Sequence, residues 1–292
     1  MKEIVVISGK GGTGKTSITA SFAKINGKEA LTADCDVDAA DMHLLLQPDF
    51  DNKKDFYSGQ LAYINPEKCI NCFKCKKACQ FDAVEVINDT FQINELNCEG
   101  CGYCYHVCPS QAITMKDALA GETYLSKTRM GTTLAHAALG IGADNSGKLV
   151  TEVKNMAKKE AERQNSAYIL VDGTPGIGCP VTASVTGANY VVIVTEPSLS
   201  GQHDLERAYE LVKNFSIPAG CIINKNNLNP DVTKKIKSWA KENGIKILAE
   251  IPYNENFVKS LTDGMTIIEY DEKLNKLIHQ AWDNIVEDVG GL

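Results

Sequence analysis

No stretch of this chain approaches the run of about 18 apolar residues that a membrane-spanning helix needs. A helical integral membrane protein is therefore excluded. Met1-Lys2 runs straight into a short apolar strand with no charged-then-apolar leader, so the chain is expected in the cytoplasm, where thiols stay reduced. Basic charge is also short: 30 Lys and Arg stand against 37 Asp and Glu, a formal net charge of −7. Such a field repels nucleic acid and membrane surfaces, and neither is expected as a partner; the overall charge suits an electron-transfer partner with a basic docking face better. The five histidines show no paired metal spacing. His106, between two cysteines, reads as a surface residue, and the helix expected from Lys273 to Val286 lacks the strongly basic face of a membrane-lying helix. With 292 residues, 43% of them hydrophobic, the chain can bury the core of one medium domain plus a small one.

Cysteine is what the chain has in excess. Eight of its 11 cysteines fall into two blocks, Cys69-x2-Cys72-x2-Cys75-x3-Cys79 and Cys98-x2-Cys101-x2-Cys104-x3-Cys108. A shift of 29 residues lays one block on the other without a gap. It also superposes Ile64-Asn65 on Ile93-Asn94 and Ala83-Val84 on Ala112-Ile113, so two units related by a pseudo-twofold are expected, neither folding alone. Zinc ribbons want two Cys-x2-Cys pairs rather than four cysteines per block, and disulfides want an oxidising compartment. The spacing resembles that of bacterial two-cluster ferredoxins, in which three close cysteines grip one 4Fe-4S cube and the fourth crosses to the other. That resemblance implies cluster I on Cys69, Cys72, Cys75 and Cys108, and cluster II on Cys98, Cys101, Cys104 and Cys79. Pro109 follows the last cysteine of block two as the pattern asks. Gln80 takes that place in block one, a change in local stiffness rather than the loss of a ligand. Two filled clusters would bring the net charge to about −11 and would staple a segment too small to be held by burial alone. Without them it is expected to be disordered.

Residues Glu3 to Ser8 read as a buried parallel strand. They lead into Gly9-Lys10-Gly11-Gly12-Thr13-Gly14-Lys15-Thr16 and a helix-compatible run from Ser17. The order strand, G-x-x-x-x-G-K-[ST], helix is the context of a phosphate-binding loop. Gly11, Gly12, Thr13, Gly14 and Ser17 would present backbone N–H groups to ATP or ADP at a helix N-terminus, Lys15 would reach the β and γ phosphates, and the Thr16 hydroxyl would ligate Mg2+. Lys10 adds more: Lys10-Gly11-Gly12 before Gly14-Lys15-Thr16 resembles the deviant Walker A of the MinD, ParA, Mrp and nitrogenase iron protein class. In that class the early lysine crosses a dimer interface, which implies a homodimer sandwiching ATP with Lys10 acting in trans. The segment Glu29 to Asp36 resembles switch I, with Asp36 orienting water or touching Mg2+ and Asp34 the runner-up; Asp38 and Asp41 read as structural. Tyr168 to Asp172 followed by Gly173-Thr174-Pro175-Gly176-Ile177-Gly178 resembles a Walker B strand and switch II, with Asp172 holding Mg2+ through water. Asn224, Lys225 and Pro252 sit where this class places its adenine contacts.

Strand and helix signals alternate from Lys2 to about Leu46 and again from about Lys148, which argues for an α/β fold with a mostly parallel, doubly wound sheet. The expected division is an ATPase domain over 1–59 and 117–292, interrupted by a small α+β ferredoxin-like insertion over 60–116. Its boundaries are placed in the polar stretch Asp49 to Ser58 and near Lys116 to Glu122. Outside the blocks, Cys35 and Cys221 read as small buried hydrophobes. Cys179, seven residues past Asp172, resembles one cluster cysteine of the nitrogenase iron protein, but lacks the second cysteine that a bridging cube needs. The expected function is an ATPase whose nucleotide state controls electron transfer through the two clusters, with a protein electron-transfer or cluster-acceptor partner. Two alternatives stand beside it: a metallocluster assembly ATPase of Mrp type, and a redox-sensing positioning switch of ParA or MinD type.

Overall fold

The computed structural model of the chain describes residues 1–140, 142–143 and 147–290. The apolar, β-branched runs form strands buried on both faces, as parallel strands under helices must be. In chain order the elements are β1 (Lys2–Ser8), α1 (Lys15–Asn26), β2 (Ala30–Asp34), α2 (Met42–Leu46), β3 (Lys53–Ile64), α3 (Lys74–Ala78), β4 (Val84–Ile87), β5 (Thr90–Ile93), α4 (Tyr103–Val107), β6 (Ile113–Lys127) and β7 (Thr133–Leu139). There follow α5 (Lys148–Gln164), β8 (Tyr168–Pro175), α6 (Cys179–Val185), β9 (Tyr190–Thr195), α7 (Leu199–Asn214), β10 (Ala219–Asn224), α8 (Pro230–Glu242), β11 (Lys246–Ile251), α9 (Asn256–Thr262), α10 (Ile267–Tyr270) and α11 (Glu272–Val289). No helix among the described residues is long and apolar enough to cross a membrane.

The larger sheet has the order β11-β10-β9-β1-β8-β2-β7-β6-β3. Every pairing from β11 through to β7 is parallel. The chain divides into two units, one of Met1–Lys54, Thr123–Ala138 and Asn145–Leu292, the other of Asp55–Glu122 with Leu139–Asp144. The second thus runs wider than the expected 60–116. Of the polar stretches expected to hold the boundaries, residues 53–58 and 116–122 lie in strands, because β3 and β6 carry the chain from one unit into the other. In β3, exposed Lys53, Lys54 and Asp55 precede a segment that buries Ala62 and Ile64. One-sided burial of that kind leaves a polar-looking sequence that nonetheless pairs as a strand.

In the first unit, α1 and α11 cover one face of the sheet. Phe22 packs on Trp282 at 5.3 Å between ring centroids, and Tyr168 meets the same indole edge-on at 5.2 Å. Ile278, Ala281 and Ile285 of α11 complete that core at spacings of three and four residues, the buried stripe of an amphipathic helix. Cys35 and Cys221 are fully buried; desolvation pushes both thiols up, that of Cys221 to about 12. They are packing groups, not reactive ones.

His136 in β7 is 4% exposed, stacks on Tyr124 at 5.0 Å, meets Phe50 edge-on at 5.2 Å, and lies 3.0 Å from the Ser126 hydroxyl. Burial, reinforced by the nearby charge of His43, lowers its pKa from 6.5 to about 4. Between those two values the unfolded chain binds more protons than the folded one, so stability rises with pH across that window. Acidification from pH 6.5 to 4 is expected to remove on the order of 3 kcal/mol, and His136→Gln should flatten that part of the pH–stability curve measured by denaturant unfolding.

Candidate functional site

Between β1 and α1 the loop turns so tightly that glycine is required at two places. Gly14 has φ of 91°, and a Cβ there would lie 2.5 Å from the Asn224 amide nitrogen; a Cβ on Gly9 would lie 2.3 Å from that of Asp204. The loop is braced from β10. Asn224, 2% exposed, donates to the Thr13 carbonyl at 2.7 Å, and Lys225 donates to the Gly12 carbonyl at 2.9 Å while pairing with Glu196 at 2.8 Å. Asn224 and Lys225 therefore hold the loop in shape, and both also line the cavity it encloses. That cavity, about 450 Å³, is walled by Gly11 to Ser17, Asp36, Pro175, Tyr253, Asn254 and Phe257. Pro252 is not among the lining residues. Past β11 the Tyr253 N–H is held by the Asn227 side chain at 2.7 Å, and the residues that follow the proline face the cavity instead.

Lys15 is 5% exposed and pairs with Asp172 at 2.8 Å and with Asp36 at 3.3 Å. Burial alone would lower its pKa; the charges of Asp172 and Asp36 outweigh that and raise it. The Thr16 hydroxyl donates to Asp172 Oδ2 at 2.7 Å, and that of Thr19 reaches Asp172 Oδ1 at 2.9 Å. Lys15 and Thr16 at the start of α1, Asp36 just past β2 and Asp172 within β8 thus converge from three separate parts of the sequence. Sequence reasoning left out Thr19 and ranked Asp34 second to Asp36. Asp34 is 1% exposed and accepts the Asp36 N–H at 3.1 Å. Burial, then the charge of Asp172, raises its pKa well above the ordinary 3.8. A carboxyl with a raised folded pKa costs stability progressively as pH climbs above its unfolded value. Asp34→Asn is accordingly expected to raise the nucleotide-free melting temperature at pH 7 by a few degrees, with the gain vanishing near pH 4.

Lys10 lies outside this cluster. Its ammonium pairs with Glu196 at 2.7 Å and donates to the hydroxyls of Ser198 and Ser200 at 3.0 and 3.1 Å. Burial of Glu196 works against its ionisation, but hydrogen bonds from Lys10 and Lys225 hold its pKa below the usual value. The lysine is thus tethered to its own chain by groups around the start of α7, and no sequence pattern pointed to them. Cys179 is exposed at the first position of α6.

In the second unit the 29-residue repeat becomes a spatial one. Helices α3 and α4 are both five residues long at equivalent repeat positions. The Asn65 N–H bonds the Ala112 carbonyl and the Asn94 N–H bonds the Ala83 carbonyl, each at 2.8 Å. Each of these bonds is the image of the other with the halves exchanged, which is what a pseudo-twofold produces. One cavity is lined by Cys69, Cys72, Cys75 and Cys108 with Ile64 and Phe91; the other by Cys98, Cys101, Cys104 and Cys79 with Ile93 and Ala62. Under the same shift every lining residue of the first cavity has its counterpart in the second, which adds Ala78 and Gly100, and each takes three cysteines from one block and the last from the other. The Ala112 N–H points at the Cys108 sulfur at 3.3 Å. Among the described residues no three His, Cys, Asp or Glu side chains form a group that could hold a single metal ion.

Residues 4–267 match the family described as the CobQ/CobB/MinD/ParA nucleotide binding domain. The chain is 32% identical over 292 residues to the uncharacterized protein MJ0578 of Methanocaldococcus jannaschii, covering 98% of this chain and 96% of that one. Among solved structures it is similar to the septum site-determining protein MinD of Pyrococcus horikoshii, a complex with Mg-ADP, at a TM-score of 0.59 and 17% identity, over 99% of this chain and 97% of that one. At that identity the likeness is one of fold. The chain is also 33% identical over 73 residues to Ferredoxin 7Fe of Hydrogenibacillus schlegelii, 24% of this chain and 94% of the ferredoxin.

Proposed function

The chain belongs to the CobQ/CobB/MinD/ParA nucleotide-binding family, and from that premise we propose that it is an ATP-hydrolysing iron–sulfur protein in which nucleotide-driven closure of a homodimer controls electron transfer. The observation that carries this reading is the pairing, on one polypeptide, of a phosphate loop with two symmetry-related cavities that each gather four thiols in the three-plus-one pattern. Four thiols within apolar walls are the donor set that suits a 4Fe-4S cube, and backbone N–H groups aimed at sulfur, as from Ala112 to Cys108, suit cluster ligands. Cys69, Cys72, Cys75 and Cys108 would hold cluster I, and Cys98, Cys101, Cys104 and Cys79 cluster II. Such clusters supply one-electron storage at potentials set by their protein surroundings.

The unit of Asp55–Glu122 with Leu139–Asp144 constitutes the redox module of this reading, and the other unit the ATPase. In the nucleotide site, Lys15 would exchange its carboxylates for the β and γ phosphates, leaving Asp172 and the Thr16 hydroxyl free to hold Mg2+. A Mg2+ ion held there would supply charge neutralisation at the phosphate oxygens. Asp36, two residues beyond β2, would orient water. Asn224 and Lys225 keep Thr13 and Gly12 in the loop geometry that presents N–H groups to phosphate, while Tyr253, Asn254 and Phe257 offer the base an amphipathic wall. Lys10 leaves Glu196 to reach the nucleotide of the partner subunit, the in-trans contact that closes the dimer. The protein acts in the cytoplasm, with a protein electron carrier as partner and neither nucleic acid nor membrane.

The test is anaerobic EPR with iron and sulfide quantitation in the presence of ATP, ADP and a non-hydrolysable ATP analogue. Spectra or reduction rates that change between ATP and ADP are expected; identical behaviour in all three states refutes the coupling. Lys10→Ala is expected to keep its iron and bind ATP within a fewfold of the parent, yet lose both ATP-induced dimerisation on a sizing column and the nucleotide-dependent change. Retention of both by Lys10→Ala would remove the in-trans role.

A further inference from the structure

The two thiol cavities are twins in shape and opposites in charge. Over residues 65–83 the first half carries Lys68, Lys74, Lys76 and Lys77 against Glu67 and Asp82, a net charge of +2; the equivalent residues 94–112 carry only Glu95 and Glu99, a net charge of −2. Lys74, Lys76 and Lys77 lie on α3, all exposed, and none pairs with a carboxylate among the described residues. Beside them Ile70 is 64% exposed, Phe73 47% exposed, and Cys72 is an exposed member of the first cavity's lining. An apolar patch with a basic rim, directly over a candidate redox site, stands out on a chain whose overall charge is −7. The equivalent surface of the second cavity presents Glu99 and Tyr103 instead.

We infer that the α3 face is the docking surface for an acidic protein electron carrier, and that exchange with this partner passes through the site of Cys69, Cys72, Cys75 and Cys108. The inference rests on the iron–sulfur reading above. Charge complementarity selects the partner: a carboxylate-rich surface is steered to the lysines and repelled by Glu95 and Glu99, so only one of the twin sites is addressed. The lysines would also favour the more negative, reduced state of a cluster held beside them, on the side where the partner docks. In the exchange one electron leaves the reduced carrier, which is oxidised, and reduces the cluster at the first cavity. No bond is made or broken.

Flavodoxin, an acidic FMN protein, serves as the probe, and the cationic methyl viologen radical as the control donor. Affinity of the iron-loaded chain for oxidised flavodoxin, read by titration calorimetry, and the rate of reduction by its hydroquinone should both fall steeply between about 50 and 200 mM salt. The variant Lys74→Gln/Lys76→Gln/Lys77→Gln is expected to lose about tenfold in both measurements, with iron content and viologen reduction preserved. Glu95→Gln/Glu99→Gln should leave flavodoxin affinity unchanged or improved. A fully loaded lysine variant that binds and accepts electrons like the parent overturns this inference alone. A chain that takes up no iron on anaerobic reconstitution overturns the iron–sulfur reading, and the inference with it.

Discussion

Replacing Lys15 by methionine is expected to cut ATP hydrolysis by about 10²–10³-fold or more, the scale of losing a preorganised charge on the transferring phosphoryl group. The same substitution should destabilise the nucleotide-free protein, because the lysine is the buried counter-charge of Asp172 and Asp36, with Asp34 behind them. Removing one partner of a buried ion pair costs roughly 3–5 kcal/mol, since it leaves charge uncompensated. Asp34 and Asp36 already have raised pKa values, both chiefly from burial. Without the lysine these carboxyls can be relieved only by protonation. The loss of stability should therefore be larger at pH 8 than at pH 5, the sign for acids whose folded pKa lies above the unfolded one. Thermal melts at the two pH values, with phosphate release at saturating Mg-ATP, separate the effects. Adding Asp34→Asn to Lys15→Met should recover part of the melting temperature and none of the activity. A Lys15→Met protein with parental turnover would refute the assignment.

The parts of the fold that could be read directly were those where one residue type dictates one local outcome. Apolar β-branched runs such as Tyr190–Thr195 become central strands because nothing else buries them on both faces. Gly14 sits where only glycine tolerates both the backbone angle and the approach of Asn224. The 29-residue repeat was visible as sequence and returns as the reciprocal Asn65–Ala112 and Asn94–Ala83 hydrogen bonds. What could not be read was decided by tertiary pairing. The strands β3 and β6 hide in polar sequence because they bury side chains on one side, and a polar stretch can equally be a loop. The tether of Lys10 joins positions 188 and 190 residues away in Ser198 and Ser200, with no local pattern to announce it. Asp34 and Asp36 share one short acidic segment, and only the fold distinguishes the fully enclosed Asp34 from Asp36, which lines the nucleotide cavity.

The crossing of the fourth cysteine admits a sharper experiment than loss of iron alone. Cys108→Ala is expected to lower iron from about eight to about four per chain, and so is Cys79→Ala, because each removes one ligand of one cube. Single variants cannot say which cube was lost, but pairs can. If Cys108 belongs with Cys69, Cys72 and Cys75, as the cavity linings have it, then Cys69→Ala/Cys108→Ala strikes one site twice and should still retain about four irons. Cys98→Ala/Cys108→Ala strikes both sites and should retain almost none. With each block holding its own cube the two outcomes would trade places, so non-additivity itself reports the topology. The expected structural cost follows the same division. This unit's small core is built from Ala62, Ile64, Val84, Phe91 and Ile113 around the cysteines themselves, too little apolar surface to hold it without its staples. Loss of both sites should therefore open the unit to proteolysis, while the one-site pair leaves it protected. Limited proteolysis run beside the iron assay, on protein kept free of oxygen, reads both consequences from one preparation, and equal cleavage of the two pairs would contradict the crossed arrangement.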